Sequence, residues 1–174
     1  MAKSRAAEPE AAAPRLYLAI AADGPPAAFT AALGAADIAC VLLLAGALDA
    51  NALRAVVEVL CPLAQGRDVA VLLQDRVSLA AETGCDGVHL SDPKDLAAAR
   101  RRLGAEALVG VGCGASRHDA ITAAERGADY IAFGAAAPVD CARLATAGAD
   151  FVVVTPDLDL GACQTALEQA TARA

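Results

Sequence analysis

The chain is poor in the groups that stack on nucleic acid or neutralise its phosphates. It has no tryptophan, two tyrosines and three phenylalanines. Aromatic platforms for RNA or single strands are therefore disfavoured. Positive charge is also scarce. Fourteen lysines and arginines face 21 aspartates and glutamates, for a formal net charge of −7 and an isoelectric point near 4.7. Neither nucleic acid nor an anionic membrane suits that balance. Only two lysines occur, Lys3 and Lys94. Neither lies in an apolar strand-like run, which argues against a Schiff-base lysine on a strand.

Long hydrophobic runs are missing too. None reaches the ~18 residues of a spanning helix. The longest, Ile38 to Leu48, is broken by Gly46 and reads as a buried strand. Residues 1–14 lack the apolar stretch of a secretory signal and are rich in Ala, Glu and Pro. They are expected to form a disordered tail ahead of one domain over 15–174. The six cysteines (40, 61, 85, 113, 141 and 163) form no CxxC and have no histidine at zinc spacing. They read as small buried apolar residues, and the expected compartment is a reducing cytoplasm.

What is present is an apolar content of 57%, enough for a sizeable core in 174 residues. Seven short apolar runs stand out: Leu16 to Ala21, Ile38 to Leu44, Val69 to Leu73, Gly87 to Leu90, Leu108 to Gly112, Tyr130 to Gly134 and Phe151 to Val154. Helical Ala/Leu/Arg stretches separate most of them. Alternating strands and helices imply a parallel sheet under helical cover. The strands lack polar alternation, as expected when both faces are buried.

A short pattern of Gly, one or two small residues and Asp introduces four of these strands. The aspartates are Asp37, Asp86, Asp129 and Asp150. Gly is expected to end the preceding helix, and the Asp to hydrogen-bond local backbone as the strand begins. The first two intervals each hold two βα units and the last holds one. The expected fold is α/β, a shortened (β/α) TIM-barrel type with seven strands and one βα unit deleted before the last. An open doubly wound sheet is the second choice.

Three segments carry a resemblance. They are Leu72-Leu73-Gln74-Asp75-Arg76-Val77, Gly84-Cys85-Asp86-Gly87-Val88-His89-Leu90 and Gly127-Ala128-Asp129-Tyr130-Ile131-Ala132-Phe133-Gly134. In this order they resemble the thiamine phosphate synthase/TenI family, as does Arg15-Leu16-Tyr17-Leu18 on the first strand. The resemblance runs from about Arg15 to Val154 with one gap. It implies a TIM barrel that joins hydroxymethylpyrimidine diphosphate to thiazole phosphate, with magnesium and basic residues holding the departing diphosphate.

By that resemblance Gln74 stands where the family has a diphosphate-binding Asn, and Asp75 matches a magnesium-ligand Asp. The second magnesium Asp should follow His89-Leu90, where ungapped alignment puts Lys94 and small shifts offer Asp92 or Asp95. Cys113, Gly114 and Ser116 would line the same mouth. The implied cofactor is Mg2+, the implied ligands are small phosphorylated pyrimidines and thiazoles, and no catalytic residue is singled out. Against this stand several losses. The family's Gln-x-Arg-x-Lys on strand two is replaced by the uncharged Val41-Leu42-Leu43-Leu44-Ala45-Gly46. The Thr and Lys expected after Phe133-Gly134 are absent. The fifth-strand loop holds no histidine, against TenI-type tautomerisation. Loop six, helix six and strand seven look deleted, which should damage a phosphate cup built after the last strands.

Taken alone, His89 reads as a core or barrel-rim imidazole rather than a catalyst. Gly110-Val111-Gly112-Cys113-Gly114 reads as a tight strand end rather than a phosphate loop. Ser116 reads as a helix N-cap and Arg100-Arg101-Arg102 as a solvated face. Two functions follow. One is a thiamine phosphate synthase-like enzyme. The alternative is a non-catalytic relative that binds a phosphorylated ligand or acts with a partner. Seven strands would leave unpaired edges at the deletion, which a second copy or a partner segment could cover.

Overall fold

The computed structural model describes residues 14–172 except 115, 135–136 and 147–150. The tail expected over 1–14 lies, Pro14 apart, outside the described residues, as does the fourth repeat aspartate, Asp150.

Seven strands alternate with seven helices: β1 (Arg15–Ala21), α1 (Pro26–Leu33), β2 (Ile38–Leu44), α2 (Ala50–Gln65), β3 (Ala70–Gln74), α3 (Val77–Glu82), β4 (Gly87–Leu90), α4 (Leu96–Leu103), β5 (Leu108–Gly112), α5 (Arg117–Glu125), β6 (Tyr130–Gly134), α6 (Pro138–Thr146), β7 (Phe151–Val154) and α7 (Leu160–Thr171). All strand pairs are parallel and the ring closes in chain order. β7 pairs with β1 through Leu16↔Val152 and Leu18↔Val154, and with β6 through Ala132↔Phe151 and Phe133↔Val152. The open edges expected at the deletion do not exist. β6 and β7 come together directly and satisfy each other's backbone.

The strands are buried on both faces, which is why their sequences do not alternate. Leu16, Leu18, Val41, Leu43, Val71, Leu73, Val88 and Val109 point outward into the helical layer. Tyr17, Ala19, Cys40, Leu42, Leu72, Tyr130 and Ala132 form a second, inner cluster with Phe151 and Val153 packed against it. Three of the five Tyr and Phe residues thus plug the barrel. Tyr130 and Phe151 meet edge to face at 5.5 Å, and Tyr17 and Tyr130 at 5.7 Å. A barrel one unit short has little room for such rings. The space comes from β5, where a Cβ added to Gly110 would stand 1.9 Å from Tyr130 Cζ. The glycine run is therefore more than a tight strand end. Its inward positions are occupied by neighbouring rings.

The Gly/Asp repeat also has a different job from the local turn expected of it. Asp86, ahead of β4, accepts a 2.7 Å hydrogen bond from the backbone N–H of Val71 on β3. Asp129, ahead of β6, accepts 2.7 Å from Val109 N–H on β5 and pairs with Arg100 at 2.6 Å. Asp37, ahead of β2, pairs with Arg15 on β1 at 3.0 Å. Each clasps the strand before its own, at the amino-terminal end of the barrel.

Candidate functional site

Barrel sites of this kind lie at the carboxyl ends of the strands. There β3 ends in Gln74 and Asp75. Asp75 has φ +51, a left-handed backbone that Asp tolerates better than most side chains. Its N–H still donates to His89 O at 3.1 Å, continuing the ladder to β4. The turn then folds the carboxylate over the end of β4. Oδ1 accepts from Ser91 N–H at 2.8 Å and Oδ2 from Ser91 Oγ–H at 2.7 Å. Gln74 Nε2 reaches the same Ser91 Oγ at 3.4 Å. Gln74, Asp75 and Ser91 make one polar rim. Ser91 was not singled out from the sequence, although its position directly after His89-Leu90 was.

Below that rim sits His89, buried and flanked by both tyrosines of the chain. Its Nδ1 lies 3.0 Å from Tyr130 Oη and 3.3 Å from Tyr17 Oη, and the two hydroxyls are 2.9 Å apart. Nδ1 and the two hydroxyls form one buried hydrogen-bonded trio, which either tautomer of the neutral ring can close because Tyr17 is also bonded to Cys40. Nε2 lies over Gly112, where an added Cβ would be 2.5 Å away. Burial pushes His89 down to about 4, with Asp75 opposing weakly. The imidazole is thus uncharged at neutral pH, just under the mouth. It is the rim imidazole read from the sequence, and the tyrosines that orient it were missed. Their signal was the paired glycines on β5, each opposite a ring.

The other candidates are placed differently. Asp92 caps a short 3₁₀ turn through Lys94 N–H at 2.9 Å and pairs with Lys94 Nζ at 3.6 Å. Asp95 shares a cleft of about 280 Å³ with Asp75, Ser78, Leu90 and Arg102, between α3 and α4. Cys113 packs into the outer helical layer, and its N–H donates to Ala132 O at 3.2 Å. Gly114 takes φ +53, and Ser116 caps α5 through Asp119 N–H at 3.2 Å. Of the proposed ligand residues, Gln74 and Asp75 are brought together, whereas Cys113 faces the helices and Ser116 is engaged as a cap.

Magnesium takes one or two carboxylates together with phosphate oxygens. Asp75 suits that role. Its carboxylate is held in place, and each oxygen retains acceptor capacity beyond its bond to Ser91. Asp92 is occupied by Lys94. No cluster of three or more His, Cys, Asp or Glu side chains is present among the described residues. The donor set fits an ion arriving with a phosphorylated ligand rather than one caged by protein alone. No helix among the described residues is long and apolar enough to cross a membrane.

Comparison with known proteins agrees with this geometry. A family model described as thiamine monophosphate synthase matches residues 19–148. The thiamine-phosphate synthase of Rhodospirillum centenum is 54% identical over 130 residues, covering 71% of this chain and 62% of that protein. The thiamine-phosphate synthase of Erythrobacter litoralis is 44% identical over 92 residues, covering 51% of this chain and 42% of that one. The chain thus spans less than two thirds of the length of these relatives. Among solved structures, a thiamine phosphate pyrophosphorylase from Pyrococcus furiosus superposes with a TM-score of 0.77 at 16% identity, covering 90% of this chain and 96% of that one. That likeness carries the barrel fold. The match over residues 19–148 carries the family: this chain belongs to the thiamine monophosphate synthase family.

Proposed function

We propose that the chain binds a phosphorylated pyrimidine or thiazole at its mouth as a member of the thiamine phosphate synthase family with reduced or lost capacity to join the two. The reading rests on one contrast. The rim of Gln74, Asp75 and Ser91 over the His89 imidazole is built, whereas β2 beside it ends in Leu43-Leu44, followed by Ala45-Gly46, with no charge at all. An uncharged imidazole under the rim suits a polar atom of a heterocycle, and the rim amide and hydroxyl suit phosphate oxygens. Magnesium carried by the ligand's diphosphate would be held at Asp75 and would neutralise the departing group's charge.

The full reaction of hydroxymethylpyrimidine diphosphate with thiazole phosphate demands more positive charge where negative charge builds up. Loss of a single such donor costs roughly 10²–10³ in rate. With two clusters missing by resemblance, turnover is expected at least about 10³-fold below that of a family enzyme bearing both. The test is product formation by the pure protein with both substrates and magnesium, alongside calorimetric binding of each ligand alone. Binding without turnover, abolished by Asp75→Asn, is the expected result. Turnover matching such an enzyme would restore the synthase reading in full. Absence of binding to either ligand would remove both.

A further inference from the structure

Two chain segments bring a pair of thiols together on the side of the barrel away from the mouth. Cys61 lies on α2 and Cys85 in the loop leading into β4. Their sulfurs are 3.5 Å apart. The approach is fixed by the surrounding backbone. Gln65, one turn beyond Cys61, donates from Nε2 to Gly84 O at 2.8 Å and to Asp86 Oδ2 at 3.2 Å. Asp86 N–H donates to Val71 O at 2.9 Å, and Cys85 N–H to Thr83 O at 2.7 Å. The residues on both sides of Cys85 are thus tied to α2 or β3.

The pair is asymmetric. Cys61 is buried and Cys85 is half-buried, whereas Cys40, Cys113, Cys141 and Cys163 are all buried. Cys85 is the one cysteine of the six that is not fully buried. Hydrogen bonding with Cys61 and from the Thr83 hydroxyl draws Cys85 below the ordinary thiol range against the effect of burial, while Cys61 is raised. Burial pushes Cys40 and Cys141 up to about 12. A nucleophilic thiol with access to solvent beside a shielded one is the arrangement of a reactive and a resolving cysteine.

We propose that Cys85 and Cys61 form such a pair, closing to an intramolecular disulfide on exposure to a hydroperoxide. The Cys85 thiolate attacks one peroxide oxygen. An S–O bond forms, the O–O bond breaks, and the departing hydroxide takes a proton and leaves as water. Cys61 then loses its proton and attacks the Cys85 sulfur. The S–S bond forms, the S–O bond breaks, and a second water leaves. Two thiols give up two electrons and hydrogen peroxide becomes two waters. The sulfurs must close from 3.5 Å to about 2.05 Å.

The experiment treats the folded 174-residue chain with hydrogen peroxide, blocks remaining thiols with iodoacetamide and maps unreduced peptides. The expected product has lost two hydrogens and yields a cross-link between the peptides bearing Cys61 and Cys85. Cys61→Ser is expected to stop at a Cys85 sulfenic acid trapped by dimedone, and Cys85→Ser to give no cross-link. A measurement on the unaltered chain guards against variants that fail to fold. Cys85 should alkylate at least about tenfold faster than any other cysteine. Equal alkylation of all six, or a first oxidation at Cys113, Cys141 or Cys163, would overturn the proposal.

Discussion

At the scale of single residues, His89 lies just under the mouth and is the group whose titration the barrel must resist. Its Nδ1 is hydrogen-bonded to the tyrosine hydroxyls inside the barrel, and a second proton on the ring would leave a charge among buried rings. Burial lowers His89 from 6.5 to about 4, and Asp75 offsets this only in part. The folded chain therefore binds this proton less readily than the unfolded chain. Stability from this group is complete above pH ~6.5, falls as pH drops through the window from ~6.5 to ~4, and changes no further below it. The full window amounts to about 3 kcal/mol. Urea unfolding between pH 7.5 and 4 should show this slope, and His89→Gln should flatten it. An unchanged slope in that variant would assign the acid sensitivity elsewhere.

At the scale of elements, the recurring Gly/Asp segment shows how much of the fold was legible in the sequence. Seven strands, their order and the missing unit followed from apolar runs and from the spacing in the sequence of Asp37, Asp86, Asp129 and Asp150. The partner of each aspartate did not, because the bond crosses to the preceding strand and a linear pattern does not reveal contacts between strands. The site was legible only in part for the same reason. Gln74 and Asp75 are adjacent in the chain and were found together. Ser91 joins them through pairing of β3 with β4, and Tyr17 joins Tyr130 and His89 through closure of the ring. The clasps themselves are testable. Asp86→Ala leaves the buried Val71 N–H without its 2.7 Å acceptor and leaves Gln65 with Gly84 O alone. The expected loss is about 1–3 kcal/mol, since an unmade buried bond carries its full desolvation cost. Asp86→Asn keeps an acceptor oxygen and should recover most of it. Thermal melting of the two variants decides the matter, and an alanine variant as stable as its parent would show the clasp to be incidental.

At the scale of the whole molecule, the scarcity of aromatic residues becomes a probe of barrel closure. There is no tryptophan, and both tyrosines lie in the interior cluster. Tyrosine fluorescence thus reports the inside of the barrel, while far-ultraviolet circular dichroism is dominated by the helices around it. Each strand is hydrogen-bonded to two neighbours and the ring has no edge. The inner rings are held from several strands at once: Tyr17 on β1, His89 on β4, Tyr130 on β6 and Phe151 on β7. β7 is bonded on one side to β6 and on the other to β1, so its removal would uncover the aromatic plug and break the ring together. The interior therefore has no route to open while the shell stays folded. Both signals should follow one transition with a common midpoint, as for a two-state domain. Tyrosine emission that changes several degrees before the helical signal would mean that the β6 and β7 seam parts first, and that closure with seven strands is the weak point of the fold.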